Sequence, residues 1–276
     1  MTFLCWNLNR RPIQGLVAAL VRSEQVDVVI LLECDIRIGD VVNALNEATG
    51  SIFAYAESPT LLKTIQVFTR FSPNFIRPVQ ESARYSIRHL AAPEQEDIIL
   101  AVVHFPSKLR SSNDSQALEC AALSRMIDSA ENQVGHCRTI LMGDLNMNPF
   151  EMGLVGASGL NATMTRAQAL KGNRTVQGVP YKFFYNPMWG HFGDRDGGPA
   201  GTYYYHQSEH VAYFWNMFDQ VLIRPALIHR LDADSVRIVD RVDETTLLTI
   251  AGIPDRAIAS DHLPLLFTLR LQTYGN

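Results

Sequence analysis

The sequence has no excess of basic residues. Its 24 lysines and arginines are outnumbered by 28 aspartates and glutamates, which gives a formal net charge of −4 at pH 7 over 276 residues. This balance excludes a broad positive field of the kind that attracts nucleic acid along a whole face. Any contact with nucleic acid must therefore come from a local patch.

Cysteine is also scarce, and no two cysteines form a CxxC pair. All of them lie inside apolar or helical patterns, which predicts reduced core residues and argues against a disulfide framework or a zinc site. The four are Cys5, Cys34, Cys120 and Cys137.

Long apolar runs are missing as well. No run is long enough to cross a bilayer, so no membrane segment is expected. No charged and then apolar leader precedes the first strand-like stretch, so we expect a cytoplasmic protein without a signal peptide. No repeat, linker or low-complexity segment divides the chain, and residues 1–276 are expected to form a single domain with an ample core. Protein partners are not indicated by any feature of the sequence.

What the chain does contain is a series of short apolar runs with helical patterns between them. Apolar spacing near 3.6 predicts helices at residues 12–23, 39–49 and 115–134. The third helix is expected to pack through an apolar stripe of Leu118, Ala122, Leu123, Met126 and Ile127. Alternating or continuous apolar runs predict strands at residues 2–9, 27–33, 52–57, 64–69, 75–79, 84–90, 98–103, 138–146, 218–223, 235–239 and 263–271. The strands at 75–79 and 84–90 alternate best, so each is expected to have one wet face. Residues 147–215 show no regular pattern and predict a long loop.

The stretch RTILMGDLNMNPFE, residues 138–151, contains the clearest chemistry. A buried strand that runs into Gly143 and Asp144 fixes that carboxylate rigidly at a sheet end. Asn146 lies two residues on, so in an extended segment it faces the same side. A carboxylate that accepts protons beside an amide that donates hydrogen bonds suits a water to be deprotonated next to an oxyanion. Taken alone, an Asx-rich turn after a strand explains these residues equally well.

Other apolar strands also end in a polar residue of catalytic type. If these strand ends converge, they form one acidic pocket with histidines at the edge of a sheet. The residues are Asn7, Glu33, His104, Asp144 with Asn146, and His262 just before the last strand, while Asp219 begins another strand.

Six short motifs in a fixed order carry a family resemblance. They are WNLN at 6–9, LLE at 31–33, VVHFPS at 102–107, GDLN at 143–146, FDQVLI at 218–223 and SDHLPL at 260–265. Together they resemble the endonuclease/exonuclease/phosphatase superfamily, which includes deoxyribonuclease I, exonuclease III, sphingomyelinases and inositol-polyphosphate phosphatases. Each motif is weak by itself, but the ordered set spans nearly the whole chain.

The resemblance implies a four-layer α/β/β/α sandwich, with two mixed, mostly antiparallel sheets flanked by helices. It also implies one divalent metal, usually Mg²⁺ with Mn²⁺ as the other candidate. Hard oxygen ligands in small number suit Mg²⁺ independently of the resemblance.

The same resemblance implies roles for single residues. Glu33 would be the principal metal ligand, with Asp261 ligating the metal or lying close to it. Asp144 would orient or deprotonate the attacking water. Asn7 and Asn146 would hold phosphate oxygens and the Asp144 carboxylate. His262, held by Asp219, would donate a hydrogen bond to the phosphate. His104 would be the acid on the leaving-group side.

The chain departs from the family pattern in three places. Asn9 stands where the exonuclease III branch has an aspartate, which removes a second metal ligand and leaves Asn9 as a substrate-binding candidate. Asn148-Pro149 follows the GDLN motif, where the inositol-phosphatase branch expects an arginine, and the later motif of that branch is absent. Trp215 lies one residue further from Asp219 than the tryptophan that walls the abasic-site pocket of exonuclease III.

Two groups of residues outside these motifs are candidates for substrate contacts. Lys108 and Arg110 follow His104 and would grip a phosphate backbone or form a solvated loop, and the sequence favours neither. The aromatic residues of the irregular stretch would stack on nucleobases or form a small satellite core. They are Tyr181, Phe184, Tyr185, Trp189, Tyr203 and Tyr204. Of these, Tyr185 is a substrate-binding candidate, and Trp215 is another.

The sequence thus predicts a metal-dependent phosphodiesterase that hydrolyses nucleic acid, with DNA ahead of RNA. The first alternative is the same chemistry on a small-molecule or lipid phosphate ester, which the acidic net charge favours slightly. The second is a binding module that has lost activity, which the full set of acids, amides and histidines disfavours.

Overall fold

The computed structural model describes residues 1–58, 64–93, 95–194, 197–208 and 210–271. Its helices are α1 Gln14–Ser23, α2 Ile38–Thr49, α3 Asn113–Val134, α4 Met152–Val155 and α5 Arg166–Ala169, with 3₁₀ turns at Pro73–Phe75, Pro187–His191 and Pro225–Arg230. Its strands are β1 Thr2–Asn7, β2 Val28–Leu32, β3 Ala54–Tyr55, β4 Ile65–Thr69, β5 Ile76–Glu81, β6 Tyr85–Leu90, β7 Ile98–His104, β8 Thr139–Asp144, β9 Ala162–Thr163, β10 Asn173–Val176, β11 Val179–Lys182, β12 Phe184–Tyr185, β13 Tyr203–Tyr204, β14 Trp215–Asn216, β15 Asp219–Ile223, β16 Leu231–Ile238, β17 Arg241–Val242, β18 Thr245–Thr246 and β19 Leu265–Leu269.

Most of these strands form two large sheets. The six-stranded sheet has the order β16-β19-β1-β2-β4-β3, and the seven-stranded sheet has the order β5-β6-β7-β8-β15-β12-β9. The pairs β1/β2, β7/β8 and β9/β12 are parallel, and the other pairs are antiparallel. The predicted mixed, mostly antiparallel sheets are confirmed.

The side-chain period of two builds the four layers. Along β1, Phe3 and Cys5 face the core between the two sheets, whereas Leu4 and Trp6 face the core that α1 and α2 cover. On the other sheet, β7 alternates in the same way between the shared core and the core beneath α3. Both faces of each central strand are therefore buried, which explains why β2 and β7 are continuous apolar runs.

The stripe predicted for helix α3 is confirmed at Leu123 and Ile127 and wrong at Leu118. Leu118 is exposed, and the buried positions are Gln116, Cys120, Leu123, Ile127, Ala130 and Glu131. The stripe includes two polar residues because each has partners in the core: Gln116 donates to the carbonyl oxygens of Pro106 and Asn146, and Glu131 binds Arg224. Apolar periodicity alone could not reveal a stripe with polar members.

Two further predictions are wrong at this level. The strand predicted at 84–90 has no wet face, because Arg88 is buried with its guanidinium on Glu81 and on the carbonyl oxygens of Ala56 and Glu57. Cys137 is exposed, whereas the other three cysteines are buried as predicted.

The stretch predicted as a long loop, residues 147–215, contains short elements instead. Helices α4 and α5 and the strands β9 to β14 lie within it, and each strand has two to four residues. In the part of the chain that the structure describes, no helix combines the length and the apolar character of a membrane span.

Candidate active site

The site is centred on the end of β8, where Asp144 lies between two neighbouring strands. Asp144 pairs with His104 of the parallel strand β7 and with Asp219 of the antiparallel strand β15. Gly143 allows this close approach, because a Cβ there would lie 2.0 Å from the carbonyl oxygen of Val103 and its φ is +137°. The sheet register thus brings together three residues that are far apart in sequence.

Asp144 is buried and held by two amide donors. Asn7 Nδ2 donates to its Oδ2 at 3.0 Å, and the Asn146 backbone amide donates to its Oδ1 at 2.8 Å. Burial raises the pKa of Asp144 and the Asp219 carboxylate raises it further, although His262 opposes this. The amide oxygen of Asn7 accepts the backbone N–H of Asn9 at 3.0 Å, which turns Nδ2 towards Asp144.

His262 and Asp219 form a hydrogen-bonded dyad. His262 Nδ1 lies 2.7 Å from Asp219 Oδ2, and His262 Nε2 lies 4.0 Å from Asp144 Oδ2. Burial alone would lower the pKa of His262, but the charge and hydrogen bond of Asp219 and the charge of Asp144 raise it to about 10. The His262 carbonyl oxygen accepts the Trp6 indole N–H at 2.9 Å, so this tryptophan anchors the loop as well as filling the core.

Glu33 and His104 face each other across the two sheets. His104 Nε2 lies 3.2 Å from Glu33 Oε1 and 4.0 Å from Asp144 Oδ2. The hydrogen bond from His104 lowers the pKa of Glu33 against the opposing effect of burial. Because the Glu33 side chain is 28% exposed, it lies at the open side of the cluster.

Four non-glycine residues of this region have left-handed backbones. The φ values are 44° at Asn9, 60° at Arg10, 45° at Glu33 and 50° at Asn146. Such conformations persist only where the surroundings impose them. At Glu33 two backbone hydrogen bonds hold this conformation. Its N–H donates to the carbonyl oxygen of Thr64 at 3.0 Å, and its own carbonyl oxygen accepts the N–H of Arg10 at 2.8 Å.

Sequence reasoning missed two arginines beside the candidate metal ligands. Arg10 Nε lies 3.9 Å from Glu33, and an Arg256 guanidinium nitrogen lies 3.5 Å from Asp261 Oδ2. Both side chains are largely exposed, but each lies beside carboxylates, since Arg10 Nε is also 3.9 Å from Asp35 Oδ2. Arg10 directly follows the WNLN motif, which is a signal that the sequence did offer, whereas Arg256 has none.

Thr202 was missed as well, although it holds both members of the dyad. Its Oγ1 accepts the backbone N–H of Phe218 at 3.1 Å and that of Asp219 at 3.0 Å. Its carbonyl oxygen accepts the N–H of Leu263 at 2.8 Å. The next residue, Tyr203, packs its ring 4.6 Å from the His262 ring.

The remaining substrate-binding candidates are scattered. Lys108 lines a cavity next to Asn146 but its Nζ is paired with Glu151, and Arg110 is exposed on the same loop. Trp215 packs against Tyr204 with ring centroids 5.5 Å apart. The structure does not bring Tyr185 to the site, because Tyr185 pairs with Ile223 at the opposite end of β15 from Asp219.

The donors at the open side of the cluster fit a hard divalent cation. Glu33 and Asp261 offer carboxylate oxygens of the kind that Mg²⁺ prefers. The group Asp144, Asp219 and His262 also has its ligand atoms within 4.8 Å of one another. Within this group, however, Asp144 is held by Asn7 and the Asn146 backbone amide, and His262 is bound to Asp219, so Glu33 and Asp261 are the better candidates.

The sequence of motifs and the geometry agree with a comparison to known families. A model of the Endonuclease/Exonuclease/phosphatase family matches residues 4–271. The chain belongs to this family. None of the curated proteins matches the sequence closely enough to count as a relative.

Solved structures of the family share its fold with this chain. A D. rerio TDP2 complexed with a single-strand DNA product is 15% identical, with a TM-score of 0.54 over 97% of this chain and 98% of that one. The endonuclease domain of TRAS1, a telomere-specific non-LTR retrotransposon, is 14% identical, with a TM-score of 0.53 over 99% of each chain. A family protein from Leptotrichia buccalis C-1013-b is 15% identical, with a TM-score of 0.55 over 98% of this chain and 99% of that one. At this identity the likeness establishes the fold alone.

Proposed function

We propose that this family member is a metal-dependent phosphodiesterase that hydrolyses nucleic acid, with DNA as the first candidate substrate. The observation that carries the proposal is the environment of Asp144. This buried carboxylate is held by Asn7 and Asn146 and lies 4.0 Å from the Nε2 atoms of both His104 and His262. A base, amide donors and two imidazoles around one space are the groups that phosphodiester hydrolysis needs.

Asp144 acts on the attacking water. Its raised pKa makes it a stronger base than an exposed aspartate, and its hydrogen bonds fix the direction of its free lone pairs. The Asn7 and Asn146 side chains differ in their availability. Asn146 Nδ2 donates to the carbonyl oxygen of Phe105 at 2.9 Å, whereas Asn7 Nδ2 donates to Asp144 itself, so Asn7 is the amide nearer to the reaction.

His262 holds the phosphate. With a pKa of about 10 the imidazole is protonated at neutral pH. Because Nδ1 is bound to Asp219, the proton on Nε2 points towards the space above Asp144 and donates to a phosphate oxygen. Asp219 keeps the ring in this orientation and stabilises its positive charge.

His104 stands on the other side of Asp144 and is the candidate acid for the leaving oxygen. Its Nε2 contacts Glu33, so the proton it carries is already directed into the site. Glu33 and Asp261 would hold Mg²⁺, or Mn²⁺ as the other candidate. When bound, this cation supplies positive charge against the negative charge that builds on the phosphate in the transition state.

The comparison structures support nucleic acid as the substrate class. One is a TDP2 that carries a single-strand DNA product, and another is a retrotransposon endonuclease domain. Arg10 and Arg256 lie beside Glu33 and Asp261, so a cation bound to these carboxylates would leave both guanidiniums available to a phosphate.

A small phosphate ester is the second candidate. The cavity beside Asn146 favours it, because Lys108 is the only basic side chain among the described residues that line it, and Lys108 is neutralised by Glu151. A long polyanion gains nothing from such a wall.

A substrate panel decides between these functions. We would assay plasmid DNA, single-stranded DNA, RNA, sphingomyelin and bis-p-nitrophenyl phosphate with Mg²⁺, Mn²⁺ or EDTA. The Asp144→Asn variant should be inactive on every substrate, while Asp234→Asn, an exposed aspartate far from β8, serves as the matched control. Turnover of sphingomyelin alone would support the small-ester function, and binding of DNA without turnover by the wild type would indicate an inactive binding module.

A further inference from the structure

A cavity of about 370 Å³ opens directly beside the candidate active site. It shares Asn146 with the site, so a group bound in it lies next to the phosphate. Leu109 lies at the opening of the cavity, with 85% of its surface exposed. Five of the lining residues are aromatic: Tyr203, Tyr205, Tyr213, Phe214 and Phe218.

The charges at the cavity cancel. Lys108 Nζ contacts the Glu151 carboxylate and also donates to Asn113 Oδ1 at 3.1 Å and Gln116 Oε1 at 3.3 Å. A lysine with two partners on α3 and one just before α4 ties the 107–112 loop to the fold and is not free to bind a phosphate. The described residues of this wall therefore leave no free cationic group for an anion.

Two amide side chains of the wall are engaged. Asn216 accepts from Asn148 at 2.9 Å and donates to the carbonyl oxygen of Phe214 at 3.3 Å. Gln207 donates to the carbonyl oxygen of Val211 at 2.9 Å. The hydroxyls of Ser107, Tyr203, Tyr205 and Tyr213 also line the cavity. Because a hydroxyl both donates and accepts, these groups suit the edge of any planar ring and do not select one base.

We infer that the cavity binds the nucleobase next to the scissile phosphate by stacking, without selecting among bases. The inference rests on the proposed nuclease function and assigns its base-binding site. Pockets of a few hundred Å³ lined by aromatic residues hold ligands of this size. Stacking on aromatic side chains tolerates every base, because each base has a π face.

Dinucleotides with one cleavable phosphate test the inference. We would measure kcat and KM for TpT and for two analogues in which a tetrahydrofuran replaces either the 5′ or the 3′ nucleoside. One of the analogues should show a KM raised at least about fivefold over TpT, as expected for one lost stacking contact. Replacing the bases of TpT by adenine, guanine or cytosine should change KM by less than about threefold.

Variants of the wall connect this loss to the cavity. Tyr213 and Phe214 are 54% and 41% exposed, so the variants Tyr213→Leu and Phe214→Leu should fold. The double variant should remove the difference in KM between TpT and its analogue. Tyr213→Phe should retain it. The matched control is Tyr181→Leu on the β10–β11 hairpin, which does not line this cavity.

Each contrary result has a distinct meaning. If the wild type cleaves the dinucleotides but the wall variants leave the KM difference intact, the nuclease function stands and the base-binding cavity is overturned. A strong preference for one base would also overturn it. If the variants impair only the release of p-nitrophenol from thymidine 5′-(p-nitrophenyl) phosphate, the occupant is a phenol ring and the inference is wrong. If the wild type cleaves bis-p-nitrophenyl phosphate but neither the dinucleotides nor the DNA and RNA of the substrate panel, the nuclease function fails, and the inference fails with it. If it cleaves DNA or RNA but neither TpT nor its analogues, the nuclease function stands and the base-binding cavity beside a single phosphate is overturned.

Discussion

Asp144 and Asp219 are directly paired across β8 and β15, so two carboxylates meet in the buried interior of one sheet. Like charges at paired positions repel each other, and burial increases the repulsion. His262 contacts both, with 2.7 Å to Asp219 and 4.0 Å to Asp144. The imidazolium is therefore the counter-ion that stabilises this buried pair of carboxylates. In the proposed function it is also the hydrogen-bond donor to the phosphate.

The first prediction concerns this dyad. Asp219→Asn should lower kcat on bis-p-nitrophenyl phosphate by orders of magnitude, because the amide cannot stabilise the imidazolium or set its tautomer. His262→Ala should cost at least as much, and the double variant should be little worse than His262→Ala. Asp243→Asn, an exposed aspartate paired with Arg22, is the control and should retain activity. Losses that add up in the double variant would show that the two residues act separately.

The second prediction concerns the metal. Added Mg²⁺ should raise the Tm of the wild type, since a ligand at 100 times its Kd stabilises the folded state by about 2.7 kcal/mol. For a chain of this size that is a rise on the order of 5 °C. Glu33→Gln should abolish both this rise and turnover, whereas Glu47→Gln on the exposed face of α2 should change neither. Full activity of the wild type in excess EDTA would refute the proposed metal dependence.

The third prediction concerns Thr202. Thr202→Val keeps the shape but removes the acceptor for two buried amides, which costs about 1–3 kcal/mol for each amide left without a partner. The urea midpoint should fall, and kcat should fall more than the stability loss explains, because Asp219 is displaced at the start of β15. Thr202→Ser keeps the hydroxyl and should recover most of both. Equal kcat values for Val and Ser in the folded proteins would mean that Thr202 is structural only.

The fourth prediction concerns acid stability and Asp97. Burial would raise its pKa, but hydrogen bonds from His89 and Arg138 and the nearby His136 lower it to about 2. A folded-state pKa below the unfolded value of about 3.9 gives stability that is present above that value and lost as the pH falls through about 2. The gap in urea midpoint between the wild type and Asp97→Asn should therefore shrink as the pH falls below about 4.

The control for this measurement is Asp234→Asn, whose side chain is exposed. It should show no such narrowing between pH 5 and pH 3. A gap for Asp97→Asn that stays unchanged down to pH 3 would indicate that its carboxylate is not held by these partners.

The sequence predicted the long elements and the site better than it predicted the parts between them. Central strands such as β2 and β7 are buried on both faces, so their apolar runs are unambiguous. The catalytic candidates stand at their ends, where the register alone brings His104, Asp144 and Asp219 together. Two-residue strands such as β12 and β13 exist only because a partner strand is present, so no local pattern announces them.

Side-chain partners far apart in sequence escaped prediction for the same reason. Lys108 was a candidate for phosphate binding because it follows His104 in the chain, with a solvated loop as the alternative, yet it contacts Glu151, 43 positions on. Tyr185 was chosen for its aromatic ring, but its place on β12 is set by pairing with Ile223. In both cases the residue type was informative and its position was decided by tertiary contacts.

Gly143 has no group that takes part in chemistry, yet it limits how this protein can change. A methyl group there would meet the carbonyl oxygen of Val103 at 2.0 Å and push β7 away from β8. The distance between His104 and Asp144 is thus set by the absence of a side chain at one position. In a saturation-mutagenesis library selected for activity, every codon but glycine should be depleted at position 143, as strongly as substitutions of Asp144 itself. A divergent homologue without this glycine would need a different spacing between the two strands to keep His104 and Asp144 at the same distance.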